Sequence, residues 1–238
     1  VLLEQYKAAV DARHDELASV LAIAIGRFRL DTVVPELSRA IKMKKHELLK
    51  VHVCQALGQI GGDAARDVLL RALGDRKKNV QGAAVLALSR FPDKKVVGKL
   101  LKDGLGSGDN QVKAYACVAL GRIGRDLPDS ETGLKRTIAK ALEEAAVKPA
   151  TNIYAAMYAA LGLGIMGDMG DDSAESFFKT SLGKKERTKI RAENGSAMAM
   201  AAGLLEMSSV APLLREISKG GVDYDFMGYA CFALAAMG

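Results

Sequence analysis

Apolar residues in this chain gather into helix-length stretches that recur, each ending in a small-residue phrase close to Ala-Leu-Gly. The phrase reads LAIAIGRF at Leu21 to Phe28, VCQALGQIG at Val53 to Gly61, VLALSRF at Val85 to Phe91 and ACVALGRIG at Ala116 to Gly124. Looser copies follow as YAALGLGIMG at Tyr158 to Gly167, MAAGLLEM at Met200 to Met207 and CFALAAMG at Cys231 to Gly238. Anchored on Gly26, Gly58, Ser89, Gly121, Gly162, Gly203 and Ala235, the copies lie 32, 31, 32, 41, 41 and 32 residues apart. A period in this range marks stacked supersecondary units, each burying its apolar face against its neighbours.

The second copy shows the plan. Leu48, Leu49, Val51, Val53, Cys54, Ala56 and Leu57 cover most of a helix surface, as expected where both sides are packed. Gly58 admits a neighbouring backbone, Gly61 and Gly62 end the helix, and Asp63 is expected to cap the next one. In that second helix Val68, Leu69, Leu70 and Leu73 face inward while Arg66, Asp67 and Arg71 do not. The third copy repeats this with Val80 to Arg90, a Phe91-Pro92-Asp93 turn, and an inner stripe of Val96, Val97, Leu100 and Leu101. No alternating strand pattern occurs. The expected fold is all-α: a right-handed α-solenoid of about six helical hairpins plus the first helix of a seventh. Its units fall at about 14–42, 46–74, 78–105, 110–146, 151–183, 188–219 and 224–238, in one array over 1–238. The chain opens without Met and stops after one helix of the seventh unit, so it is expected to be a piece of a longer protein.

The phrases Ala56-Leu57-Gly58-Gln59-Ile60-Gly61 and Ala119-Leu120-Gly121-Arg122-Ile123-Gly124, each followed by an Asp-containing turn and a Leu-rich helix, resemble HEAT repeats. They resemble especially the short HEAT-like repeats of phycobilisome lyases and many bacterial proteins. The resemblance covers nearly the whole chain, is specific for fold, and implies that the second helices line a concave surface.

Two inserts lengthen the hairpin turns, RDLPDSETG after Gly124 and DMGDDSAE after Gly167. Their Asp126, Asp129, Glu131, Asp168, Asp171, Asp172 and Glu175 predict an acidic edge, and such an edge is often where a solenoid binds.

The formal charge of +6 is unevenly placed, with fourteen Lys or Arg against six Asp or Glu from Ala40 to Asp103. A ladder of single cations, Arg39, Arg71, Lys102, Lys140, Lys179 and Arg215, recurs near the ends of the second helices. On the concave surface that the resemblance implies, this row would grip another protein through an acidic or phosphorylated segment. Its simpler reading is compensation of helix dipoles, worth roughly 0.3–1 kcal/mol each. Lys95, Lys99 and Lys102 form a further stripe on one helix face, whose simpler reading is a solvated surface. Basic clusters fill the inter-unit turns: Lys42, Lys44 and Lys45; Arg76, Lys77 and Lys78; Lys184, Lys185, Arg187, Lys189 and Arg191. A nucleic-acid track would need them in one line, but Gly106-Ser107-Gly108-Asp109 and a lone Lys148 break it, and stacking aromatics are scarce.

Candidate chemistry is thin. His14, His46 and His52 form no metal spacing, and the single His46-Glu47 pair cannot complete the iron site of a deoxyhypusine-type hydroxylase. Trp, which the HEAT-like DNA glycosylases use, is absent. The glycine run Gly162 to Gly170 lacks the strand and Lys-Ser/Thr of a phosphate loop. Cys54, Cys117 and Cys231 share one repeat position, too far apart for a disulfide, and are expected to be buried hydrophobes, which favours a reducing cytoplasm. No apolar run approaches the roughly 20 residues of a membrane helix. The expected function is therefore a noncatalytic protein-binding scaffold without cofactor or metal. The alternatives are a basic nucleic-acid-binding array or a lyase-like or chaperone-like accessory of a tetrapyrrole protein.

Overall fold

A computed structural model describes residues 1–43, 45–147, 153–167 and 174–238. Lys44, Lys148 and the insert acids Asp168, Asp171 and Asp172 lie outside the described residues. Helices and short helical turns make up the regular structure, and no strand occurs among the described residues. The chain forms two compact units, Val1–Ala116 and Cys117–Gly238.

In the first unit α1 (Leu2–Asp11) is followed by helix pairs α2 (Asp15–Arg27) and α3 (Val34–Ile41), α4 (Glu47–Ile60) and α5 (Gly62–Ala72), and α6 (Lys78–Leu88) and α7 (Lys94–Lys99). The helix α8 (Asn110–Asp126) contains the boundary between the units. Successive first helices pack side by side, α2 on α4 and α4 on α6, with the second helices against them. This is the stacked-pair arrangement of an α-solenoid. Its core is continuous from Ala18 and Ile25 through Leu49, Val53 and Leu57 to Val85 and Leu88. Helix α1 precedes the first expected unit and packs on α2, burying Tyr6, Ala9 and Val10.

The second unit holds α9 (Thr132–Val147), α10 (Ile153–Met166), α11 (Ala174–Leu182), the single turn α12 (Lys184–Arg187), α13 (Ala192–Leu204), α14 (Ala211–Ser218) and α15 (Tyr224–Met237). Helix α10 packs between α9 and α13, and α13 between α10 and α15.

The anchor glycines mark where neighbouring first helices touch. A Cβ on Gly26 would lie 2.7 Å from Cα of Ala56, one on Gly58 2.9 Å from Cβ of Ala87, and one on Gly203 2.5 Å from Cα of Ala233. Each of these anchors abuts the residue two before the next anchor. Gly121 instead meets the carbonyl oxygen of Gly162, anchor on anchor. That junction has slid by two residues, about 3 Å at the rise of an α-helix.

Turn chemistry sets the helix starts. The Asp93 side chain accepts a hydrogen bond from Val96 N at 2.9 Å, Asp109 accepts from Gln111 N and Val112 N at 3.0 Å each, and Pro35 and Pro212 occupy first-turn positions of α3 and α14. Asp63 does not cap α5. Gly61, at φ +80°, takes that place, and the Asp63 carboxylate pairs with Arg66 inside the first turn at 2.8 Å. Helix α7 runs into a π-helical segment, Leu100–Gly104, closed by Leu105 N donating to Leu100 O at 2.9 Å.

Cys54 and Cys117 are buried, and burial pushes each thiol up to about 12. Cys231 is exposed, against expectation, because α15 packs on α13 and α14 and no described helix covers its other side.

Candidate functional site

The second helices of the first unit form a polar cleft of about 580 Å³ between α5 and the α7–π segment. Asp67, Leu70, Arg71 and Gly74 line one wall, and Lys95, Lys99 and Asp103 the other. Amphipathic spacing makes this wall: Val68, Leu69, Val96, Val97 and Leu100 turn into the core and leave the charged positions outside.

Most of that charge is paired. Lys95 Nζ stands 2.8 Å from Asp67 Oδ1, and Lys99 Nζ reaches Asp103 one turn on at 2.5 Å. Arg66 binds Asp63 at 2.8 Å and both Asp67 and Asp93 at 3.4 Å. The Lys95 hydrogen bond holds the Asp67 carboxyl below its ordinary range. Arg71 is different: it is exposed and makes no ion pair among the described residues. Lys102, in the π segment beyond this cleft, is likewise exposed without an ion pair.

The cation ladder therefore divides. In the first unit Arg39 is bound by Glu36 at 3.2 Å and Asp11 at 3.8 Å, leaving Arg71 and Lys102 without an acidic partner. In the second unit Lys179 is bound by Glu175 at 2.6 Å, while Lys140 and Arg215 are exposed with no ion pair among the described residues. Lys140 also departs from the helix-end position, since α9 continues seven residues past it, to Val147.

The turn clusters divide as well. Lys77 pairs with Glu47 at 3.3 Å, Lys189 with Glu186 at 2.8 Å and Arg191 with Glu193 at 2.9 Å. Arg187 is buried and pairs with Glu216 at 2.9 Å, so it ties α12 to α14 rather than facing a ligand. Lys42, Lys45 and Arg76 are exposed. On the insert edge Asp126 pairs with Arg125 at 2.9 Å and Asp129 with Lys135 at 3.0 Å.

Asp67 and Asp103 neutralise two lysines of the stripe, Lys95 and Lys99, whose simpler reading from sequence is a solvated face. Their signals were present as a 28-residue separation from Lys95, close to one repeat, and the i, i+4 spacing from Lys99. The histidines do not converge: His46 Nδ1 lies 2.6 Å from Asp15 Oδ1 between the starts of α2 and α4. Among the described residues no three His, Cys, Asp or Glu side chains gather as metal ligands, and no helix is long and apolar enough to cross a membrane.

Comparison with known proteins gives these stacked pairs a family. The family described as HEAT repeats matches residues 4–89 and 44–121, two overlapping spans that take in α1 to most of α8. The chain belongs to the HEAT-repeat family. No curated protein matches it. Among solved structures, an engineered protein is 15% identical over 99% of this chain and 96% of its own, with a TM-score of 0.47. A designed armadillo repeat protein is 16% identical over 86% of this chain and 100% of its own, at 0.41, and human deoxyhypusine hydroxylase 15% identical over 87% and 85%, at 0.38. These likenesses are too distant to say more of this chain. A HEAT array presents long helical surfaces, so its function must be sought in what those surfaces expose.

Proposed function

We propose that this HEAT-repeat protein is a noncatalytic scaffold that holds another protein against its second-helix face, through an acidic or phosphorylated segment of that partner. The observation that supports this is Arg71. It stands exposed on the wall of a cleft whose other charges are already paired, so an incoming carboxylate or phosphate meets a guanidinium with no internal competitor. Lys102 in the same unit, and Lys140 and Arg215 in the second, offer the same kind of free cation.

The basic turns favour nucleic acid less, because Lys77, Lys189 and Arg191 are engaged by glutamates and Arg187 is buried. The test is co-purification of partners with the wild-type protein and with Arg71→Glu/Lys102→Glu/Lys140→Glu at low and moderate salt. A protein partner lost in the triple variant supports the reading. Unchanged recovery contradicts it, and salt-sensitive recovery of nucleic acid would replace it with the other reading.

A further inference from the structure

The first helices of the first unit carry a second surface, unlike the polar cleft. Leu17, Val20, Leu48 and Leu86 are large apolar residues on α2, α4 and α6, yet they are 53%, 64%, 50% and 42% exposed. Leu48, Val51, Ala83, Leu86 and Tyr115 wall an apolar groove of about 510 Å³, rimmed by Glu47, Lys78, Asn79 and Gln111.

Register explains why these residues meet. Asp15 is bound to His46 at 2.6 Å and Glu47 to Asn79 at 2.8 Å, so α2, α4 and α6 run side by side in step. A Cβ on Gly82 would lie 2.9 Å from the Tyr115 ring, which continues the alignment into α8. Val20, Val51, Ala83 and Tyr115 recur 31, 32 and 32 residues apart and form one row across the helices, with Leu17 beside Leu48. The internal packing does not need these side chains, because the opposite faces of the same helices already build the core.

The surface selects the form of its occupant. An extended peptide must find partners for its backbone N–H and C=O groups, and this groove has few to give. The Asn79 amide donates to Glu47 and the Gln111 amide to the Tyr115 hydroxyl at 2.7 Å, while the main chain of the walls is bonded within its helices. A helix arrives with its backbone satisfied. Neighbouring helices stand about 8–10 Å apart, a distance a crossing helix covers in about six or seven residues, so its apolar heptad positions would meet the row once per repeat.

Charge selects its flank. The turns entering α4 and α6 expose Lys42, Lys45, Arg76 and Lys78, whereas the nearby acids are engaged, Glu47 by Lys77 and Asp75 by Lys50. Neither α4 nor α6 has a side-chain cap, so their first N–H groups add to this positive edge. We infer that the outer face of α2, α4, α6 and α8 docks an amphipathic helix of a partner protein, seated by an apolar heptad stripe and flanked by acidic residues. This site is independent of the second-helix cleft.

The test uses the full chain and three synthetic helical peptides of about three heptads, with Leu at a and d and Glu, Gln or Lys along one flank, titrated by fluorescence anisotropy. The Glu peptide should bind tightest and the Lys peptide weakest. Leu48→Asp/Leu86→Asp should weaken the Glu peptide at least about tenfold, and Arg76→Glu/Lys78→Glu should erase the Glu-over-Lys preference. The two leucines are half exposed, so circular dichroism and melting temperature should be unchanged in that variant, and Arg71→Glu should bind normally. Absence of binding by all three peptides, binding indifferent to Leu48→Asp/Leu86→Asp, or preference for the Lys flank overturns the inference. Self-association abolished by Leu48→Asp/Leu86→Asp would assign the face to a second copy and also overturn it.

Discussion

The two units belong to one repetitive chain but hold their helices in register by different means. In the first, side chains one period apart are bonded across the stack: Asp15 to His46 at 2.6 Å and Glu47 to Asn79 at 2.8 Å. A buried ion pair, Lys50 to Asp75 at 2.7 Å, ties α4 to the turn between α5 and α6. In the second unit small residues bring the central helices into close contact. Helix α13 buries Asn194 to Ala199 and Ala201 to Gly203, nearly its whole circumference, and Gly121 lies on the backbone of Gly162. Directional bonds penalise any axial slip, because a pair made at 2.6–2.8 Å is lost when its helix moves by one residue. Small-residue contacts are smoother. This fits the slid anchor at Gly121 and Gly162, whereas the 41-residue spacings on either side of Gly162 come from the turn inserts.

The comparison breaks most visibly at the buried pair. Asp75→Ala leaves the Lys50 ammonium buried without its partner and should cost about 3 kcal/mol or more in denaturant unfolding. Lys50→Met/Asp75→Leu should recover most of that loss, because an apolar pair of similar volume avoids the desolvation. A smaller effect is expected from the close contacts of the second unit. In Gly162→Val the Cβ would fall 2.5 Å from the Cys117 carbonyl oxygen, so backbone must move, at a cost of about 1–3 kcal/mol. Gly98→Ala, where nothing stands within 4 Å, should instead stabilise by about 0.4–1 kcal/mol, separating close approach from glycine content.

Much of this architecture was legible in the sequence, since the Ala-Leu-Gly phrase combines a full-circumference apolar helix with the one residue that permits backbone contact at Gly26, Gly58 and Gly203. Features that depend on partners far along the chain were less so. Arg187 stood in a basic run, and only the return of α14 past it places the exposed Glu216 at 2.9 Å from its buried guanidinium, in a structural role. Cys231 sits in the same repeat position as Cys54, but burial is a property of the next helix in the stack, and α15 has none described there. Asp63 had the composition of a cap, yet the φ of +80° at Gly61 starts α5 two residues too early for it. For the site, repeat spacing located the cation ladder but not its pairing. Whether Arg39 or Lys179 is free depends on Glu36, Asp11 and Glu175 standing within reach.

The smallest effect expected concerns acid. The Glu47 carboxyl is held below its ordinary range, first by the Asn79 hydrogen bond and then by Lys77. Its folded pKa is depressed, so its contribution is present above the unfolded value and fades as pH falls through the folded one. Asn79→Ala should raise that folded pKa, so the variant should melt slightly lower above the unfolded value and lose less as pH falls, seen as a shallower acid limb in a pH series of melting temperatures.

The most direct test of two differently held units is pulsed cysteine alkylation read by mass spectrometry along a denaturant series. Cys54 reports the first unit, Cys117 the second, and the exposed Cys231 serves as the internal standard. Both buried thiols are protected in the native state, with pKa values of about 12, and label only on opening. In Asp75→Ala, Cys54 should label at lower denaturant while Cys117 keeps its wild-type midpoint, and in Gly162→Val the order should reverse. If both thiols shift together in both variants, the units share one source of stability and the account is wrong.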